Sequence, residues 1–439
     1  KTSIHSKADM EDFLYFFTFQ DASIAFVVIG ITLLGIGSAY VGTYSFLDKK
    51  ALLGDAISHA VLPGICLGFI LAGEKNPIYI VSGAFASGAL ATFLISWLRS
   101  NTKLSEDAII ASILSIFFGF GIVLLTVIQK SGNPEMAGLN QFIFGNAIAI
   151  LEEDLYIYGG LALVIIIILT LFQKEFSLLV FNPDFGKAIG YPMESIRLIF
   201  NVLMILAVVI GIQAIGVVLM AALLITPGAA ARFWTDRLGI LLILAGIFSA
   251  VSGILGTYVS FILPQMPTGP WVVVFLSLLA LMSFLFAPKK GVISRYIARN
   301  SYLKKTHQDH LMKTLYKAME EGKKFLAIEE IYQAFPQQSS KSMKSIYRLI
   351  RKGLITKNER VIILTESGKS EAKRIVRLHR LWELYLNEYM NIAPDHVHDS
   401  AEQLEHLLTP ELETLLEKRL NFPKLDPHQE TIPRDTDDI

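Results

Sequence analysis

The chain has 439 residues, 53% of them hydrophobic and only 18% charged, with a formal net charge of zero and one cysteine. That profile reads as a membrane protein, and a lone cysteine excludes an internal disulfide and any thiolate cluster site. The zero charge averages two unlike parts: residues 1–288 hold 13 of the 39 Lys and Arg and 17 of the 39 Asp and Glu, while the last 151 hold the other 26 and 22 and seven of the nine His.

Residues 1–21 carry no signal-peptide pattern. Nine apolar runs long enough to cross a bilayer then follow, at about 22–46, 52–73, 77–98, 107–128, 154–173, 196–212, 214–233, 238–263 and 270–287. A further run, "FIFGNAIAI" (142–150), is too short to span and reads as re-entrant or interfacial. Basic clusters follow the odd-numbered spans: Lys49–Lys50, Arg99 with Lys103, Lys174 with Lys187, Arg232 with Arg237, and Lys289–Lys290. The opposite loops hold Glu74, Glu135, Glu152, Glu153 and Asp154 against only Lys75 and Lys130. By the positive-inside rule the N-terminus lies outside and the C-terminal part in the cytoplasm.

The second span opens "ALLGDAISHAVLPG" (51–64), with Asp55 and His59 one helical turn apart on one face. A charge in hydrocarbon costs a few kcal/mol, so the pair needs a purpose. A carboxylate and an imidazole suit Mn²⁺, Fe²⁺ or Zn²⁺, and Pro63 with Gly64 interrupts the helix ladder a turn later. The plainer reading is an Asp–His hydrogen bond that knits helices together. The loop "FNPDFGKAIGYPMES" (181–195) is short and amphipathic. It is either a simple surface helix or the element through which a permease receives force from a separate ATPase. No GxxxxGK[ST] loop occurs in the chain, so ATP, if used, is bound by another subunit.

On "ALLGDAISHAVLPG", "NPDFGKAIGYP" and "IGVVLMAALLITPGAAARFWTDRLG" (215–239), residues 10–288 resemble the permeases of metal-type ABC importers, which carry manganese, zinc or iron. The resemblance implies a permease dimer (with itself or a paralogue), two ATPase subunits and an extracytoplasmic metal-binding protein. It makes Asp55 and His59 pathway ligands and Asp184, Lys187 and Gly190 the ATPase-docking loop. One departure is Gln265 in "SFILPQMPTGP", where the family usually has an Asp.

Beyond a linker the charge splits again: residues 304–380 hold 18 Lys and Arg against 8 acids, and 381–439 hold 4 against 14. A basic half points to nucleic acid, an acidic His-bearing half to cations. "HLMKTLYKAMEEG", "AIEEIYQAF" and "SSKSMKSIYRLIRKGL" read as three helices, the last two at helix-turn-helix spacing, and "ITKNERVIILTESGKSEA" as a strand pair turning at Asn358–Glu359. In such a winged helix Ser339, Ser340, Lys341 and Lys344 face bases or phosphates and Arg348 a phosphate; winged helices also serve as protein-interaction modules. Downstream, His398, Glu402, Glu405 and His406 share one helical face, and His379 and Glu383 form another i,i+4 pair, together a site for a divalent transition metal without thiolate. The alternative is a solvated charged face.

Across about 307–433 this part resembles the iron- and manganese-dependent repressors of the diphtheria-toxin-repressor type, on "LYKAMEEG", "IRKGLI", "LTESGKSEA", "RLHRLWE", "HDSAEQLEH" and "DPHQETIP". The resemblance implies a regulatory site of His310, Glu402, Glu405 and His406 and a neighbouring site of His379, Glu383 and His398. His310 stands where the family has Met or Asp, Gln429 where it has Gly, and Glu402 tilts the preference to Mn²⁺, with Fe²⁺ next and Zn²⁺ open.

The expected fold is an all-α polytopic membrane domain of about nine helices (1–288) and a linker (289–306). A winged helix-turn-helix (307–376), an α-helical metal-binding and dimerisation domain (377–433) and a tail (434–439) follow. The expected function is the permease subunit of an ATP-driven importer in the bacterial inner membrane, binding no nucleotide itself. It carries a cytoplasmic metal-dependent repressor whose dimerised tails bind operator DNA. The alternative makes the tail a metal-sensing gate on transport.

Overall fold

The computed structural model describes residues 13–19, 21–73, 76–130, 152–263, 266–335, 339–390 and 410–433. The chain divides into two compact units, Lys1–Ser294 and Arg295–Ile439. Hydrocarbon offers backbone groups no water, so apolar segments satisfy them internally as helices. The first unit contains α1 (Ala22–Leu47), α2 (Ala51–Ala72), α3 (Pro77–Asn101), α4 (Glu106–Lys130), α5 (Glu152–Leu171), α6 (Gln173–Phe181), α7 (Pro183–Ala188), α8 (Met193–Ile215), α9 (Val217–Arg232), α10 (Leu238–Ile262) and α11 (Thr268–Phe286). Polar caps set the starts: Asp21 accepts from the Ser23 N–H, and Asn76 from that of Ile78 with Pro77 opening α3.

Among the described residues, seven helices are long and apolar enough to cross a membrane, or up to eight if the α5–α6 pair, bent by 74°, is one span. α9, at 16 residues, is apolar but shorter. The difference from the nine apolar runs is local. The sixth and seventh runs form one stretch broken only at Gly216, where φ is +94° and ψ 158°, a conformation that glycine adopts without steric cost. The break therefore falls later than the apolar pattern suggests, and α9 is left short. The run 142–150 lies outside the described residues.

Lipid tails are as apolar as leucine, so helices in a membrane associate through close backbone approach. α2 and α3 do this at Gly64 and Gly83: a Cβ on Gly64 would lie 2.1 Å from the Gly83 carbonyl oxygen. Beside that crossing the Ser87 hydroxyl donates to the Ala60 carbonyl at 2.6 Å. α1 is the central element, packed against α5, α9 and α10, with Ile31, Leu34 and Tyr44 in the core alongside Ile57, Met220 and Leu223.

The second unit takes up all but the first residues of α12 (Val292–Glu320), followed by β1 (Leu326–Ala327), α13 (Ile328–Ala334), α14 (Ser339–Arg351), β2 (Ile355–Asn358), β3 (Val361–Leu364), α15 (Glu366–Met390) and α16 (Pro410–Arg419). The strands form one antiparallel sheet ordered β1-β3-β2, with Leu326 opposite Ile362 and Ile355 opposite Leu364. The hairpin turns one residue later than expected, since Asn358 still pairs with Val361 and Glu359 takes φ +49°. One core joins Leu311, Leu315, Ile331, Ile346, Ile362 and Val376; a smaller one joins Leu381, Leu416, Leu420 and Ile432. α15 contributes to both.

Replacing Gly64 by Leu should prevent the α2–α3 crossing from closing. We expect loss of a monodisperse peak in detergent gel filtration and a lower melting midpoint. Gly119→Ala, where an added Cβ meets nothing within 4 Å, should leave both unchanged.

Candidate functional site

In α2 the His59 Nε2 stands 3.5 Å from the Asp55 Oδ1, longer than a good hydrogen bond. The Asp55 side chain is 32% exposed and that of His59 15%. A pair on one helix ties no second helix to it. The Phe118 ring meets the imidazole edge to face at 4.7 Å, and the buried His59 Nδ1 has no hydrogen-bond partner among the described residues. Pro63, inside α2, lacks the N–H that would bond to the carbonyl four residues back, which is that of His59. The carboxylate–imidazole set thus lies on the N-terminal side of an interruption in its own helix. This set suits a borderline divalent ion better than an alkaline-earth one. The freed carbonyl was readable from the Pro63–His59 spacing, but only as part of a helix.

The loop 181–195 contains α7, started by Asn182, whose Oδ1 accepts from the Phe185 N–H at 3.1 Å. Asp184 and Lys187 are exposed; Lys187 pairs with Glu194 at 3.2 Å, and Gly190 closes the turn at φ +94°. Phe185 and Ile189 also project, 53% and 51% exposed. They were missed because apolar residues in a short loop read as packing.

In the second unit α15 brings His379 and Glu383 together, Nε2 to Oε1 at 2.9 Å, with side chains only 3% and 4% exposed. Between them Arg380 is buried as well. Its guanidinium donates to both Glu320 oxygens (3.0 and 2.9 Å), to Glu430 (2.7 Å) and to the Thr431 carbonyl (2.6 Å). Burial works against the Arg380 charge, but the bonds to Glu320 and Glu430 outweigh it and its pKa is raised. Asp426 is buried too and accepts from the His428 and Glu430 N–H groups, both at 2.8 Å. Burial, reinforced by the carboxylates of Glu383 and Glu430, pushes the Asp426 carboxyl above the ordinary range against those two bonds. The spread of Arg380 contacts, from Glu320 to Thr431, left no signal in the sequence because the partners are far apart along it.

His310 is half-buried on α12. His398, Glu402, Glu405 and His406 lie outside the described residues, and among those described no group of three or more His, Cys, Asp or Glu is placed to hold a metal. On α14, Ser339, Ser340 and Lys341 occupy the first turn, Lys344 is exposed and Arg348 half-buried. Tyr347 and Arg351 share that face and are exposed as well; stepping by three and four from Lys344 would have found them.

Comparison with known proteins decides what this architecture is. Residues 20–287 match the ABC 3 transport family. The chain belongs to that family. It is therefore a multi-pass membrane permease, a transport protein rather than an enzyme. Residues 365–434 match the iron dependent repressor, metal binding and dimerisation domain, a stretch that opens almost where α15 does. The manganese transport system membrane protein MntC of Bacillus subtilis is 35% identical over 375 residues, 85% of this chain and 86% of that one. Since the first unit ends at Ser294, that similarity runs into the second. The zinc transport system membrane protein TroC of Treponema pallidum is 40% identical over 275 residues, 63% of this chain and 92% of that one. Among solved structures, PsaBC from Streptococcus pneumoniae in complex with Fab superposes with a TM-score of 0.58 at 29% identity, over 66% of this chain and 99% of that one.

Removing Arg380 takes the cation from buried Asp426, 3.7 Å away, and from the partly exposed Glu320 and Glu430, a loss that falls at or below the ~3–5 kcal/mol typical of breaking a buried pair. Arg380→Ala should therefore sharply lower the urea concentration at which a protease cuts the second unit of the full chain. Glu430→Gln, which keeps Glu320 and the Thr431 carbonyl on the guanidinium, should shift it less.

Proposed function

We propose that the chain forms the membrane half of an ATP-driven importer for a divalent transition metal and that its second unit is a metal-responsive transcriptional repressor. The single observation that carries the transport reading is the Asp55–His59 pair beside the Pro63 interruption. Relatives named for manganese and for zinc bracket the substrate, and a carboxylate–imidazole set without thiolate accepts Mn²⁺, Fe²⁺ or Zn²⁺. Counting α9 and the bent α5–α6 pair as one span each gives nine spans, with the N-terminus outside and the second unit in the cytoplasm, as the basic loops require. α7 then faces a separate ATPase, with Asp184, Lys187 and Gly190 in the docking loop; a second permease subunit and an extracytoplasmic metal-binding protein complete the importer in the bacterial inner membrane.

In the second unit α13 and α14 followed by the β2–β3 hairpin act as a winged helix-turn-helix. Ser339, Ser340, Lys341, Lys344 and Arg348 line its DNA face. His379 and Glu383, a buried nitrogen–oxygen pair, suit manganese or iron, and His310, His398, Glu402, Glu405 and His406 complete the sensor. The bound metal would hold two tails together, so that paired winged helices meet a palindromic operator and uptake genes are silenced as metal accumulates.

Two measurements test the two halves separately. In cells, Asp55→Asn and His59→Ala should each lower radioactive manganese uptake by about 10–100-fold, the usual cost of disturbing a metal site; unchanged uptake would refute the pathway assignment. In nanodiscs, the full chain should bind DNA from upstream of its own gene only when Mn²⁺ or Fe²⁺ is added. His379→Ala should abolish that dependence, and Lys344→Ala should lower the salt slope by about one. Binding indifferent to metal, or none at all while uptake persists, would leave the tail as a gate on transport.

A further inference from the structure

The first part of α12 is exposed. From Val292 to Lys305 every side chain is exposed except the half-buried Ser294 and Asn300. Among them Ile293, Tyr296, Ile297 and Leu303 are 38%, 66%, 61% and 52% exposed. On a helix of 3.6 residues per turn these four and Val292 fall within an arc of about 140°. Half-buried Asn300 falls within the arc; Arg295 and Arg299 border one edge, Lys304 lies just inside the other and Lys305 beyond it. No Asp or Glu occurs between Lys289 and Gln308. Lys290 is already engaged by Asp236 and the Arg232 carbonyl, but the four basic residues on the helix itself make no ion pair among the described residues.

The position of this stripe follows from its start. α11 ends at Phe286, and the Ser294 hydroxyl donates to the Ala287 carbonyl at 2.9 Å while the Gly291 N–H bonds the same oxygen, also at 2.9 Å. The first turn of α12 is thereby pinned to the end of a membrane span, at headgroup level. An apolar arc edged by arginine and lysine, held at that depth, matches an interface with hydrocarbon on one side and phosphate on the other.

We infer that Val292–Lys305 is an interfacial helix that lies on the inner leaflet and is held there by anionic lipid. Ile293, Tyr296, Ile297 and Leu303 enter the acyl boundary, and Arg295, Arg299, Lys304 and Lys305 reach out to lipid phosphates. The inference rests on the cytoplasmic placement of the C-terminal side only for the word inner. Lipid, rather than DNA, is the occupant because the segment carries the apolar arc that a duplex has no use for and starts at the membrane surface.

The test uses the full chain with Cys66 replaced by Ser and a single cysteine at Tyr296→Cys, on the apolar arc, or Ala298→Cys, on the opposite side. In nanodiscs of phosphatidylcholine with phosphatidylglycerol, a water-soluble maleimide should label position 296 at least about fivefold more slowly than position 298. The gap should close in phosphatidylcholine alone and when Arg295, Arg299, Lys304 and Lys305 are all replaced by Gln. Equal rates in every disc would overturn the proposal. So would protection that ignores both lipid charge and the Gln substitutions, or that arises only on adding duplex DNA. Discs leave both faces open, so this result does not depend on orientation; impermeant labelling of Ala298→Cys in intact cells tests orientation separately.

Discussion

In hydrocarbon every backbone carbonyl needs a donor, and Pro63 withholds one from His59. Among the described residues of the first unit the apolar segments are helical, and many serines and threonines bond back to their own helices or, like Ser87, to a neighbour; Pro227 makes a second interruption, inside α9. At the Pro63 interruption, unlike the one at Pro227, a carboxylate and an imidazole precede the break on the same helix. A carbonyl deprived of its helical donor and a partly exposed carboxylate both cost free energy in lipid. Their coincidence on α2 is what a passing cation would offset.

The second unit meets a related problem differently. Arg380 is a charge removed from water, and it is tolerated because acceptors from α12 and the C-terminal segment close around it. His379 and Glu383 flank this buried arginine along α15.

The two candidate metal pairs make an instructive comparison. Asp55–His59 and His379–Glu383 both use one carboxylate and one imidazole at i,i+4, and both avoid thiolate. Their surroundings differ: the first is partly open, at 32% and 15%, the second closed, at 3% and 4%. An open pair with a 3.5 Å separation suits a ligand that must leave again. A closed pair at 2.9 Å suits one that is retained.

Much of this was legible from residues alone. Membrane helices are read from long apolar runs because lipid permits little else, and the seam between the parts is marked by charge and histidine. The i,i+4 pairs follow from helical periodicity, which needs no partner element. The helix break at Gly216, the hairpin register one residue beyond Asn358–Glu359 and the bend after Leu171 were not legible: each is a local backbone choice that apolar pattern does not constrain. Nor was the Arg380 cluster, whose partners lie 50 and 60 residues away. The sequence by itself determined which segments must leave water and which carboxylates and imidazoles are spaced as pairs on one helix face, since those depend on composition and short-range spacing. Only the tertiary structure decided which polar groups are closed off and which stay open, because burial is a property of what packs against a residue, not of the residue.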